Sequence, residues 1–183
     1  MDEALAPGFL ISLPHLQDEN FRNSVVLLLK QDETGAMGVV INQESPLSLE
    51  ELCADHAIPY AGEAEKHVRR GGPVDPEQGL VLYGKEHDDP DGERVVDGLN
   101  VSASRGTLAR LCNLARGQFH CYAGYAGWGP GQLEDEITAG AWITTPADPR
   151  LVLDAPPEEI WSACIRAAGI DPAAFVTGPS AEA

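Results

Sequence analysis

SVVLLLKQDETGAMGVVIN, residues 24–42, decides the fold. Ser24–Lys30 is apolar almost throughout and β-branched at its start, the pattern of a buried strand. QDETG is a turn, and AMGVVIN is a second strand. Two apolar runs joined by a short glycine-containing link predict an antiparallel hairpin near the N-terminus. Hairpin-linked neighbours belong to an α+β chain. A doubly wound parallel sheet requires regular alternation of strand and helix, and none is visible here.

Working outward from the hairpin, GFLISL (Gly8–Leu13) reads as a buried strand, followed by a polar loop with Phe21 as its apolar anchor. Downstream, Ser48 and Glu51 form the S-x-x-E pattern of a capping box and open a helix that Pro59 stops. Leu49, Leu52 and Cys53 fall on its inner face. VRR is extended, Gly71-Gly72-Pro73 turns, and Gly79–Tyr83 is a strand. RVVDGLNVSAS reads as a strand or a bent pair. SRGTLARLCNLARG is a helix with Leu108, Leu111, Cys112 and Ala115 inward and Gly117 at its end. QFHCYAGYAG is a strand, GQLEDEITAG a short acidic helix and AWITT a short strand. PPEEIWSACIRAAGI is the last helix, with Ile160, Trp161, Cys164 and Ile165 inward. The expectation is one α+β domain over residues 1–171, with a bent, mixed or antiparallel sheet curled towards a barrel and helices outside. Residues 172–183 are small and polar, a tail expected to fray.

Charge narrows the function. Twelve Lys and Arg face 29 Asp and Glu, a formal net charge of -17. Non-specific affinity for DNA comes from cations that neutralise phosphates, so so acidic a chain is repelled unless its arginines gather on one face. The one adjacent basic cluster is KHVRR, Lys66–Arg70. Two or three cations can seat one phosphate or one carboxylate, but they make no duplex footprint. No window approaches the length of apolar sequence that spans a membrane. The N-terminus has acids where a signal peptide needs basic residues, which places the chain in the cytoplasm. The four cysteines form no C-x-x-C pair and are expected to be reduced and partly buried.

The chemistry-bearing stretch is CYAGYAGWGPGQLEDEI, Cys121–Ile137. Strand, glycine loop and helix N-terminus in that order can cradle a phosphate. The spacing matches neither nucleotide-binding glycine motif, and no Lys follows. Glu134, Asp135 and Glu136 fill the helix start instead, where they complement its dipole and oppose a phosphate. Two readings stay open: a tight corner in which Tyr125 and Trp128 pack over glycine backbone, or a recognition edge with an exposed Trp128 as its anchor. Neither the consecutive acids nor HDDPDGE has calcium-loop spacing, so no metal is implied. Cys121 and His120 are strand neighbours and point to opposite faces, which is not a catalytic pair.

PHLQDENFRNSVVLLL, GAMGVVIN, GGPVDPEQGLVLYG and GYAGWGPGQLEDEI together resemble the bacterial YqgE/AlgH family, in order and spacing, from about Pro7 to about Ile170. The resemblance implies an α+β fold with a partly barrel-like sheet and a cytosolic protein. Members often carry the label of transcriptional regulator, without a settled activity, cofactor or catalytic residue. It implies a candidate binding surface at Asn20, Arg22, Ser24, Asn42, Gly71, Gly72, Pro73, Gly124, Trp128, Gly129 and Gln132. The C-terminal FVTGPSAEA departs from the ending of relatives. The leading reading is a non-enzymatic regulatory or adaptor protein that acts through a protein partner, without cofactor or metal. Direct nucleic-acid binding and a small-molecule site near Asn20, Arg22, Asn42 and Gly71-Gly72 are the alternatives.

Overall fold

The computed structural model of the chain describes residues 4–14, 21–84, 89–114 and 118–175. β1 (Gly8–Ser12) pairs antiparallel with β2 (Val25–Asp32), Phe9 opposite Leu27. β2 turns into β3 (Gly35–Val40), Val26 opposite Val40, so the hairpin read from residues 24–42 is present. β10 (Trp142–Thr145) flanks β1, and β9 (Phe119–Trp128) flanks β3. Beyond β9 come β6 (Val74–Tyr83), β8 (Leu99–Ser102) and β7 (Glu93–Val96), all antiparallel. β5 (His67–Arg70) runs parallel to β9, Arg69 opposite Tyr122, and carries β4 (Glu44–Ser48) on its other side. The sheet is therefore mixed, and it curls into a half-barrel within one α+β domain.

Five helices complete the described fold: α1 (Leu49–Asp55), α2 (Arg105–Cys112), α3 (Gln132–Thr138), α4 (Pro149–Leu153) and α5 (Pro157–Ala167). The Ser48–Glu51 capping box forms in full: Glu51 N–H donates to Ser48 Oγ, and Ser48 N–H donates to the Glu51 carboxylate.

Strand periodicity explains the continuous apolar run of β2. Val25 and Leu27 join Val39, Ile41, Ile160 and Ile165 in the core beneath α5. Val26 and Leu28 point the other way, into a cluster with Val40, Trp128, Leu133 and Trp142 beneath α3. Both faces are covered, so no polar alternation appears. A third cluster under α1 and α2 holds Leu49, Cys53, Leu111, Cys112, Phe119 and Cys121.

β9 inverts its own alternation. Cys121 faces α1 and α2 while Tyr122 faces the α5 core; further on, Tyr125 faces the α5 core while Ala126 and Trp128 face α3. The switch falls at Gly124, whose φ is +77°, beside a register shift in the β6–β9 ladder. A Cβ on Gly124 would lie 2.4 Å from the Gly72 carbonyl oxygen, and one on Gly71 would lie 2.3 Å from that of Gly124. These glycines let two backbones cross in contact.

Several elements differ from expectation. β6 begins at Val74, five residues earlier than Gly79. RVVDGLNVSAS is a bent pair, β7 and β8 turning at Gly98. α2 ends at Cys112 with Asn113 as its C-cap; the predicted end at Gly117 lies outside the described residues. β4 and α4 are new: Pro46 interrupts the first, and the second is barely more than one turn. At the tail, Pro172–Phe175 forms a 3-10 turn whose Phe175 ring sits edge-on to Trp161, 6.0 Å between centroids; residues 176–183 lie outside the described residues.

Candidate functional site

The polar residues at the β2 and β3 ends serve the backbone. Ser24 is buried; its N–H donates to Ser12 Oγ, and its Oγ accepts from Gln43 Nε2, 2.8 Å each. Asn42 Oδ1 accepts the Val25 N–H at 3.0 Å, and its Nδ2 donates to the Asn23 carbonyl at 2.8 Å. Gly71 completes the same end of the sheet, accepting from Val40 N–H and donating to the Ala123 carbonyl. The structure thus brings Ser24, Asn42 and Gly71 together in one backbone network. Arg22 and Pro73 are exposed, Gly72 is buried, and Asn20 lies outside the described residues.

The glycine-rich stretch is mostly strand, since β9 runs to Trp128 and only Gly129–Gly131 form the loop. The reading of Trp128 as an exposed anchor is corrected: its side chain is buried, with the residue 6% exposed. Its ring stacks on Phe21 and meets Trp142 edge-on, 6.0 Å between centroids. Glu134 and Asp135 do stand in the first turn of α3, as expected, while Glu136 departs from that role. α3 starts from Gly131 in a left-handed conformation and has no side-chain cap. Glu136 turns inward: one of its oxygens accepts from both Trp128 Nε1 (3.0 Å) and Trp142 Nε1 (2.8 Å). Gln132 braces it, donating to the second oxygen at 3.0 Å while accepting the Gly129 N–H. Indole N–H groups brought out of water need such partners.

No thiol is poised as a nucleophile among the four cysteines. All are buried, and burial pushes Cys121 and Cys164 up to about 12 and raises Cys53 and Cys112. Asp89, from the acidic loop, is a structural clamp. It accepts from Thr107, Arg110, Tyr83 and the Asp91 N–H. Burial works to raise its carboxyl, yet these donors hold it below the usual range.

What sequence did foreshadow is the basic cluster. A cavity of about 200 Å³ opens where β5, the start of β9 and the loop after α1 meet. Lys66, His67, Arg69, Phe119 and His120 line it, and the exposed Glu44, Glu63 and Glu65 form its rim. Lys66 Nζ stands 3.9 Å from the centre of the Phe119 ring. Burial pushes this ammonium down to about 8, with Glu63 opposing and Arg69 adding to the fall. Arg69, 4% exposed, donates from Nη1 to the Ile41 carbonyl at 3.0 Å. The Tyr122 hydroxyl lies beside the guanidinium without an aligned hydrogen bond, and burial raises it to about 12. His120 sits against the Leu153 carbonyl through Nε2 at 3.1 Å. Burial, then Arg69 and Lys66, push its ring down to about 3, so it is neutral and Nε2–H is the donor. His67 meets the Ser45 carbonyl through Nδ1 at 3.0 Å. None of the residues predicted as a binding surface lines this cavity. A larger groove of about 550 Å³ opens between β2–β3 and β7–β8, where Leu29, Met37, Leu80, Val95 and Val101 meet a charged edge of Lys30, Asp91, Glu93 and Arg94.

Fold and cavity define a class: a one-domain α+β half-barrel with a small cationic recess on an acidic surface. A family model described as AlgH-like matches residues 9–173. The chain is 43% identical to a UPF0301 protein of Myxococcus xanthus, covering 95% of this chain and 96% of the relative. It is 38% identical to a UPF0301 protein of Anaeromyxobacter dehalogenans, covering 95% and 93%. The solution structure of the AlgH protein from Pseudomonas aeruginosa superposes with a TM-score of 0.76 at 34% identity, over 98% of this chain and 99% of that one. A Corynebacterium diphtheriae crystal structure shares the fold, with a TM-score of 0.73 at 23% identity over 91% and 88%. The chain belongs to the AlgH-like family.

Proposed function

We propose that this chain is a non-enzymatic, cytosolic regulatory protein that works by holding a small molecule in the β5–β9 cavity and presenting that state to a protein partner. The observation that carries the reading is the convergence of Lys66 and Arg69 on one recess in a chain of net charge -17. Desolvating cations costs free energy, and one carbonyl and one aromatic face are a small return for two of them. The buried thiols and the fully engaged Glu136 and Asp89 support binding over covalent chemistry. Within α2, Arg110 is spent on Asp89 and Arg105 on the His56 carbonyl, which supports a partner other than a nucleic-acid duplex. No helix among the described residues is long and apolar enough to cross a membrane.

The test is a tagged pull-down of the full chain from its own cells, with and without nuclease, beside a Lys66→Met variant. A protein partner that survives nuclease and changes in occupancy with Lys66→Met supports the reading. Material lost on nuclease treatment, or a partner indifferent to Lys66, contradicts it.

A further inference from the structure

We infer that the ligand of the β5–β9 cavity is a small phosphoryl dianion, free phosphate or a small phosphate ester, held between Lys66 and Arg69. The inference rests on the binding reading above and specifies its chemistry. Among the described residues, neither Lys66 nor Arg69 has a carboxylate within ion-pair distance, although the chain has 29 acids to offer. Lys66 Nζ stands over the face of Phe119, and Arg69 donates to the Ile41 backbone carbonyl. Both charges are drawn partly out of water with no carboxylate in contact, Glu63 acting on Lys66 only from the rim, an arrangement that a bound anion would stabilise.

Charge count sets the class. His120 is neutral with its Nε2–H committed to Leu153, so at pH 7 the cations of the floor are Lys66 and Arg69. A phosphate monoester carries close to two negative charges above its second pKa of about 6. Size sets the limit. A cavity of about 200 Å³ holds roughly seven waters at ~30 Å³ each, enough for a phosphoryl group and a few further atoms. The rim then discriminates: Glu44, Glu63 and Glu65 repel a polyanion, whereas a compact anion can pass them and reach the floor.

The experiment is an amide NMR titration of the full chain at pH 7 in chloride buffer of matched ionic strength. Inorganic phosphate is the probe in one arm and glycerol phosphate in the other. Saturable shifts centred on Lys66, His67, Arg69 and His120 are expected, at least tenfold weaker in Lys66→Met and restored in Lys66→Arg. The stronger arm identifies the source as free phosphate or ester. Absence of saturable shifts at those amides, or equal affinity in a folded Lys66→Met, overturns the inference. A parallel mass measurement on protein from its own cells separates the two levels. A bound molecule without a phosphoryl group, lost in Lys66→Met, overturns the ligand class and leaves the binding reading standing. No bound molecule and no phosphate response overturns both.

Discussion

Glu136→Ala tests the reading of the Trp128 corner as architecture. One carboxylate oxygen accepts from two indoles, Trp128 and Trp142, and both rings are buried. Hydrogen bonds to a charged group contribute about 1.5–3 kcal/mol each. Glu136 is half-buried, so the lower end of that range applies, and truncation costs about 3–4 kcal/mol in all. For a chain of this size the melting temperature falls by roughly 10 °C. Glu136→Gln keeps one oxygen for the two indoles but sets its own NH2 against Gln132 Nε2, so it loses the charge assistance and the Gln132 bond and still costs less than truncation, about 2 kcal/mol. Urea unfolding followed by tryptophan fluorescence and far-UV circular dichroism reads both variants. The reasoning is refuted if Glu136→Ala lies within about 0.5 kcal/mol of the parent, the range of an ordinary surface substitution. It is equally refuted if Glu136→Gln is as damaging as Glu136→Ala, because the shared oxygen would then count for nothing.

Three further outcomes are expected. Lys66 has a folded pKa of about 8 against 10.5 unfolded, so below pH 8 the fold carries the cost of a desolvated charge. Between those values the unfolded chain holds the extra proton, and this contribution raises stability with pH. The fall from 10.5 to about 8 corresponds to about 3 kcal/mol; partial solvent screening and loss of the Phe119 contact reduce it, so in anion-free buffer Lys66→Met is more stable than the parent at pH 7 by about 2 kcal/mol, and the difference closes towards pH 10.5; urea midpoints across that range check the sign. Gly124→Ala forces a Cβ towards the Gly72 and Val74 carbonyls at a positive φ and costs at least about 2–3 kcal/mol, measured by the same unfolding assay. At pH 8 the four thiols resist iodoacetamide in the native chain and react on unfolding; rapid native alkylation of Cys121 would contradict its burial.

Much of the fold was legible because the chain signals its elements locally. The β2–β3 hairpin and the Ser48–Glu51 cap depend on residues close in sequence, and both formed as their patterns require. β4 was hidden because Pro46 and two serines erase the apolar alternation, and its pairing comes from β5, some twenty residues on. α4 was hidden because five residues are too few to show a helical period. At the glycine-rich stretch, the packed-corner reading of Trp128 matches its burial, and the exposed-anchor alternative does not. Trp128 among glycines has the composition of a recognition edge, and only the distant Phe21 and Trp142 turn it inward. KHVRR stands out as the one adjacent basic cluster in an acidic chain, and three of its residues line the β5–β9 cavity. Its convergence with Phe119 and His120 depends on the parallel β5–β9 pairing, which no local pattern encodes.

The central claim is that the Lys66–Arg69 cavity holds a small molecule. The most direct measurement is the mass of the full chain purified from its own cells, taken under native and then denaturing conditions, beside Lys66→Met. The account predicts a native excess mass of one small molecule per chain that denaturation releases and that Lys66→Met lacks. An identical mass under both conditions in the parent, or an excess that survives unchanged in Lys66→Met, would contradict it.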